Sequence, residues 1–222
     1  MHWDDVQKDA RDAGYLVFAM DQAQTPVMTE VGPWGNAYSG FCAGCVVCWI
    51  GLRYGGSDFA FDPGTREVRM PDWRTTRDQN VYEDAPGDFP DQLVPAFAQY
   101  GLTLNRGRLT RKTEAPTGTI LKSAGLAGEG CYYISIRRAD GGHAIAMQNM
   151  GKAGWRLFDA NYGEFTAKDD DQFATFVTWY MDATNYDTKY TAATRIIGIN
   201  PPPYVNAGFS SAIRELIKRF GG

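Results

Sequence analysis

Tyr132-Tyr133-Ile134-Ser135-Ile136, Asp140-Gly141-Gly142, His143-Ala144-Ile145-Ala146-Met147, Gly151 to Gly154 and Trp155-Arg156-Leu157-Phe158-Asp159 follow one another in the second half of the chain. The apolar residues here have the short, β-branched and aromatic character of strands, and the Gly-containing breaks are turns, so this stretch predicts a three-stranded antiparallel meander. Downstream, Asp169, Asp170 and Asp171 complement the positive end of a helix whose face is Phe173, Phe176, Val177 and Tyr180. Residues 193–200 form a further strand, Pro201-Pro202-Pro203 ends it, and residues 210–220 read as a short amphipathic helix.

Upstream of the meander the period changes to that of helices. Residues 4–14 read as a short polar helix, and residues 20–41, rich in Gly, Pro, Thr and Asn, as an extended approach loop ending at Gly40. From Cys42 to Tyr54 the residues Cys42, Cys45, Val46, Trp49 and Leu52 recur at helical spacing, with Ala43 and Gly44 in the first turn and Gly55-Gly56 as the stop. Residues 57–86 are polar and read as loop, and residues 88–101 as a helix begun by Pro90, kinked at Pro95 and closed by Gly101. Helices first and an antiparallel sheet second is an α+β arrangement, with the chain 1–222 expected to form a single domain.

Composition narrows the function. The chain has 222 residues, 44% apolar and 14% aromatic, with a net charge of −4, which offers no electrostatic footprint for nucleic acid and no polybasic patch for an anionic membrane. There is no apolar run long enough for a membrane span, and Met1-His2-Trp3-Asp4-Asp5 is acidic where a classical signal peptide is basic and then apolar. Three of the four cysteines crowd at 42, 45 and 48, unlike a framework of disulfides spread to tie distant loops, and a reducing compartment is expected.

Cys42, His143 and Asp159 are the residues with which this chain could do covalent chemistry. A thiol of ordinary pKa near roughly 8.5 is a weak nucleophile, but at a helix N-terminus beside an imidazolium it ionises lower. Cys42 sits at a loop-to-helix boundary, and His143 opens a strand after two glycines that permit close backbone approach. Asp159 follows His143 by about one hairpin, so it can lie on the neighbouring strand and hold the second imidazole nitrogen. Asn36, with the backbone N–H of Cys42, is the candidate oxyanion donor, although an Asn in a loop also serves its own turn. Trp34, Tyr38, Trp73 and Tyr162 fall in predicted loops near this site and are candidates to line a substrate cleft.

These residues resemble a known family. Gly40-Phe41-Cys42-Ala43-Gly44 with Trp49, Gly142-His143-Ala144, and Phe158-Asp159-Ala160-Asn161-Tyr162-Gly163-Glu164-Phe165 are similar to the three catalytic blocks of the YopT-type cysteine proteases, papain-like proteases of bacterial effectors that include the AvrPphB-like proteins of plant pathogens. The resemblance implies a papain-like fold in which the nucleophile stands at a helix start packed on an antiparallel sheet. It makes Cys42 the nucleophile, His143 the general base and acid, and Asp159 the orienting acid. Two positions depart from the family pattern: Ala160 stands where Pro is common, and Cys45 where an aliphatic residue is common. Neither is a reacting group.

The implied function is a cysteine protease that cleaves a target protein through an acyl-enzyme, made in the bacterial cytoplasm and delivered into another cell by a specialised secretion system. Its expected partners are a protein or peptide substrate and a cognate immunity protein or chaperone, with no cofactor and no metal. The same three residues would equally serve an amidase or acyltransferase acting on bacterial cell-wall peptide as an interbacterial toxin. A non-catalytic module on the same scaffold would leave Cys42 with ordinary thiol reactivity. Cys42-Ala43-Gly44-Cys45 is also a CxxC, but a redox dithiol of the thioredoxin kind needs a buried strand before the first cysteine, where this chain has Gly35 to Gly40. Cysteines spaced by three on one helix diverge by about 60° each, which is poor geometry for zinc.

Overall fold

The computed structural model describes residues 3–24, 40–56 and 73–203. Among them, seven strands form one sheet in the order β1 (Leu16–Ala19), β6 (Gly163–Ala167), β5 (Trp155–Asp159), β4 (Gly141–Asn149), β3 (Gly130–Arg138), β7 (Ala193–Asn200) and β2 (Thr103–Lys112), every neighbouring pair antiparallel. The three-stranded meander of the sequence is its centre, β3 to β5, and β6, which the sequence reading did not include, continues it.

Period-two alternation divides the core in two. Cys131, Tyr133, Ala144, Ala146, Phe158 and Ile197 face one side of the sheet, where they meet α2 (Cys42–Tyr54) and α4 (Val94–Ala98). Tyr132, Ile134, Ile145, Met147, Leu157 and Ile196 face the other, against α1 (Trp3–Asp12), α5 (Gly118–Gly125), α6 (Asp170–Ala183) and the short α7 (Tyr186–Lys189). Both faces are covered, so the central strands are apolar on both sides rather than alternating apolar and polar. The helix over residues 42–54, the strand over 193–200 and the acid-started helix after 169 all stand where the sequence puts them. Asp169 caps α6 by accepting from the Asp171 and Gln172 backbone N–H groups.

Helix α2 is buried from Ala43 to Gly51, and one buried carboxylate fixes how it lies on the sheet. Glu164 on β6 accepts from the Trp49 indole N–H at 2.8 Å and from the Arg53 guanidinium at 2.7 Å, and pairs with Arg156 of β5. The Trp49 ring stacks on Phe158, the residue before Asp159, at 5.6 Å between centroids. Two residues of α2 are thereby tied to the two strands that flank Asp159.

Four expectations need correction. Part of the stretch read as loop is a helix, α3 (Trp73–Asp84), whose contact face is polar: Thr75, Asp78 and Gln79 are buried, so no apolar stripe announces it. Gln79 accepts from the Gly44 N–H, and Asp78 accepts from the Tyr100 hydroxyl and from Arg77. A Cβ at Gly44 would collide with the backbone of Thr75 and Gln79, which is why the first turn of α2 is so small there. Residues 88–101 contain only a 3₁₀ turn (Asp91–Leu93) and the five-residue α4, because Pro95 lies in the first turn of α4, where proline starts a helix rather than kinking one. The β3–β4 turn is Ala139-Asp140, with Gly141 and Gly142 already in the strand. Finally, β1 and β2 come from the first half of the chain and close the two edges of the sheet, so helices and strands are not segregated along the sequence. The helix read over residues 210–220 lies outside the described residues.

Glu164→Ala leaves two guanidinium groups and an indole N–H facing a vacated buried site. We expect a loss of about 3 kcal/mol, the lower end for a broken buried pair because both arginines reach solvent at their outer edges. Urea denaturation of the two proteins checks it.

Candidate active site

Cys42 is the first residue of α2 and is partly exposed, following Phe41 at the cap position. His143 is the third residue of β4 and Asp159 the last of β5. The β4–β5 ladder begins at Ile145↔Asp159, so His143 lies two residues beyond the last pair, where the two strands part. The imidazole occupies that gap. Its Nε2 is 2.8 Å from Asp159 Oδ1, and both side chains are buried. With the carboxylate ionised Nε2 carries the proton and donates, leaving Nδ1 for the Cys42 thiol, which lines the same cavity as the ring.

Asp159 is held at every lone-pair direction that the fold can supply. Oδ1 also accepts from the Asn161 N–H at 2.8 Å, and Oδ2 accepts from the Tyr180 hydroxyl of α6 at 2.9 Å. The His143 ring packs against Tyr186 and Tyr190, which shield the pair from water on that side. Burial opposes charge on the imidazole, but the Asp159 carboxylate and the Cys42 thiolate outweigh it and hold His143 well above the ordinary imidazole range. Burial likewise pushes the Cys42 thiol up, whereas the His143 charge, the hydrogen bond from His143 and one involving the Ala144 backbone bring it below its ordinary value. The pair therefore favours thiolate and imidazolium together.

A cavity of about 240 Å³ opens beside Cys42 and is lined by Gln79, Tyr82, Tyr133, Ser135, Arg137 and His143 among others. Of the residues expected to line a cleft, Tyr162 packs edge-on to Tyr180 and Tyr186, behind Asp159, and is not among the lining residues of this cavity. Trp34, Asn36 and Tyr38 lie outside the described residues, and the side chain of Trp73 does too. Sequence reading missed Tyr180, Tyr186, Tyr190, Asn161 and Gln22. The tyrosines are aromatic positions of a helix face or its end, with no sequence signal that the Tyr180 hydroxyl reaches the carboxylate or that Tyr186 and Tyr190 pack on the imidazole, while Asn161 adjoins the Asp159 block and was the one within reach.

The remaining cysteines are chemically quiet. Cys45, Cys48 and Cys131 are buried and not in disulfides, and burial pushes the Cys131 thiol up to about 12. Among the described residues no group of three His, Cys, Asp or Glu side chains is arranged to hold a metal ion, and no helix is long and apolar enough to cross a membrane.

With this geometry in hand the likenesses to known proteins are informative. Residues 114–193, which contain His143 and Asp159, match the sequence profile of the Peptidase_C58 family, described as "Yersinia/Haemophilus virulence surface antigen". The fold is similar to that of the Pseudomonas avirulence protein AvrPphB, with a TM-score of 0.59 and 20% identity over 85% of this chain and 98% of the other. No curated protein matches the sequence. The likeness to AvrPphB shows a papain-like fold of mixed helix and antiparallel sheet. Over residues 114–193 the chain is similar to the Peptidase_C58 family, and its three sequence blocks resemble those of the YopT/AvrPphB-type proteases.

Iodoacetamide should label Cys42 at about pH 6, where an ordinary thiol is almost wholly protonated, and should spare the three buried cysteines. In His143→Ala the largest influences that lower the thiol pKa, both from the imidazole, are lost, while burial, which raises it, remains. Labelling of Cys42 then moves to a pH above roughly 8.5, read by mass spectrometry of tryptic peptides.

Proposed function

We propose that the chain cleaves a peptide bond in a target protein with Cys42 as nucleophile, His143 as general acid and base, and Asp159 as the residue that orients the imidazole. The observation that carries this reading is one imidazole that shares a cavity with a thiol at a helix start and is held by a buried carboxylate at 2.8 Å.

The Cys42 thiolate attacks the scissile carbonyl carbon, and the carbonyl electrons move to oxygen. The backbone N–H of Cys42 and the side chain of Asn36 receive that oxyanion, a role worth about 3 to 4 kcal/mol of barrier per donor. As the tetrahedral intermediate collapses, the imidazolium of His143 gives its proton to the leaving amine, the C–N bond breaks and a thioester on Cys42 remains. Water then loses a proton to His143 as it attacks the thioester, the acid departs, and the proton returns to the thiolate–imidazole pair. Asp159 stays ionised throughout and keeps Nε2–H pointed away from the thiol. Trp34 and Tyr38, in the segment leading to Cys42, are proposed to line the substrate cleft.

The protein is proposed to act as an effector: made in a bacterial cytoplasm, passed into a target cell by a specialised secretion system, and accompanied before delivery by a chaperone or immunity protein. Its likeness to a family of virulence proteins and to an avirulence protein supports this assignment.

Wild-type chain incubated with a mixed peptide library should generate new peptide termini, and acid quenching should trap an acyl adduct on Cys42. Cys42→Ala should do neither, and Asp159→Asn should lower the rate by up to about 10⁴-fold. Release of cell-wall peptide without cleavage of any library member would replace the protein-directed reading with the antibacterial one.

A further inference from the structure

The thiol and the imidazole belong to parts of the chain that meet only through tertiary contact, and one side chain spans the seam. Gln22 lies in a 3₁₀ turn (Gln22–Gln24) and is 6% exposed. Its Oε1 accepts from the Phe41 N–H at 2.7 Å, one residue before Cys42. Its Nε2 donates to Asn161 Oδ1 at 2.6 Å, two residues after Asp159. Its own backbone N–H donates to the Ala160 carbonyl at 2.8 Å.

The direction of these bonds is dictated from one end. A backbone N–H can only donate, so the Phe41 contact turns the Gln22 oxygen towards α2 and its NH₂ towards Asn161. Asn161 must then present its oxygen to Gln22 and its NH₂ to Tyr186, whose hydroxyl it meets at 3.2 Å, with the His143 Nε2 at 3.5 Å from the same nitrogen. The Asn161 backbone N–H is already bound to Asp159 Oδ1. A single polarised chain therefore runs from the start of α2 to the carboxylate and aromatic wall of the imidazole.

We propose that Gln22 is a positioning residue that sets the separation between Cys42 and the His143–Asp159 pair. The proposal rests on the catalytic reading given above. Without the bridge, the first turn of α2 and the loop after Asp159 keep their separate partners but lose their common reference, and a thiol–imidazole hydrogen bond is sensitive to shifts of under about 1 Å.

The test compares wild type, Gln22→Met and Gln22→Glu as the full chain, reading the rate of Cys42 alkylation by iodoacetamide against pH, with the thermal midpoint beside it. Met keeps the shape of the side chain and removes both hydrogen bonds. Glu keeps the acceptor for Phe41 and presents a second acceptor to the Asn161 oxygen. Gln22→Met should label about tenfold more slowly near pH 6, with its profile moved up by about one pH unit and its rate meeting that of wild type once both thiols are fully ionised. Gln22→Glu should fall between the two, and if Gln22→Met does not fold, its profile decides the matter. Variant profiles superposed on a wild type that does label near pH 6, whatever happens to the thermal midpoint, would reduce Gln22 to ordinary packing and overturn the proposal alone. A wild type that fails to label near pH 6 would overturn the catalytic reading with it.

Discussion

Everything at this site depends on where the N-terminus of α2 is held. A helix start is useful to a thiol only within the first turn, and the imidazole that completes the pair is on a strand a hundred residues later. The fold meets this constraint by seating α2 over the sheet and fixing it at two points. Near its C-terminal half, Trp49 and Arg53 are bound to Glu164 in the interior. At its first turn, Gln22 and Gln79 accept from the N–H groups of Phe41 and Gly44 on either side of Cys42. A buried carboxylate with three donors is costly to form, and its retention beside Phe158 and Asp159 has a geometric rationale: charged hydrogen bonds fix position more sharply than apolar contact does.

The electrostatics follow from burial of the same groups. His143 in an apolar pocket would be neutral, and Cys42 in one would be a protonated thiol. Placed together, with Asp159 behind the ring, each charge relieves the other, and the aromatic wall of Tyr186 and Tyr190 keeps water from screening them. Asp159 in turn needs Tyr180 and the Asn161 N–H, since a carboxylate with one partner would be free to rotate. Cys42 and His143 shift one another's titration in opposite directions. Neither of them has the properties it shows here when taken alone.

What could be read along the chain was read from side-chain chemistry and period. The strands β3, β4 and β5 and the helices α2 and α6 have their own apolar patterns, and the blocks around Cys42, His143 and Asp159 have short spacings within themselves. Helix α3 escaped because its buried face consists of Thr75, Asp78 and Gln79, and the burial of Asp78 and Gln79 is compensated by hydrogen bonds rather than by apolar contact. The edge strand β2, Thr-Leu-Asn-Arg-Gly-Arg-Leu-Thr-Arg-Lys from residue 103, escaped because it is only half covered and carries the charges that keep an open edge from pairing with another chain.

The sequence by itself determined the chemical inventory: one thiol at a loop-to-helix boundary, one histidine at a strand start and one carboxylate a hairpin further on, in a chain able to build an α+β core. Tertiary structure alone decided that the three converge, that β4 and β5 part by two residues to admit the ring, and that Gln22, Asn161, Tyr180 and Glu164 hold the parts in register. The physical reason is range. Propensity and periodicity act over a few residues and are written locally, whereas the partner of a buried polar atom is chosen by whichever distant segment the packed core brings within hydrogen-bond distance.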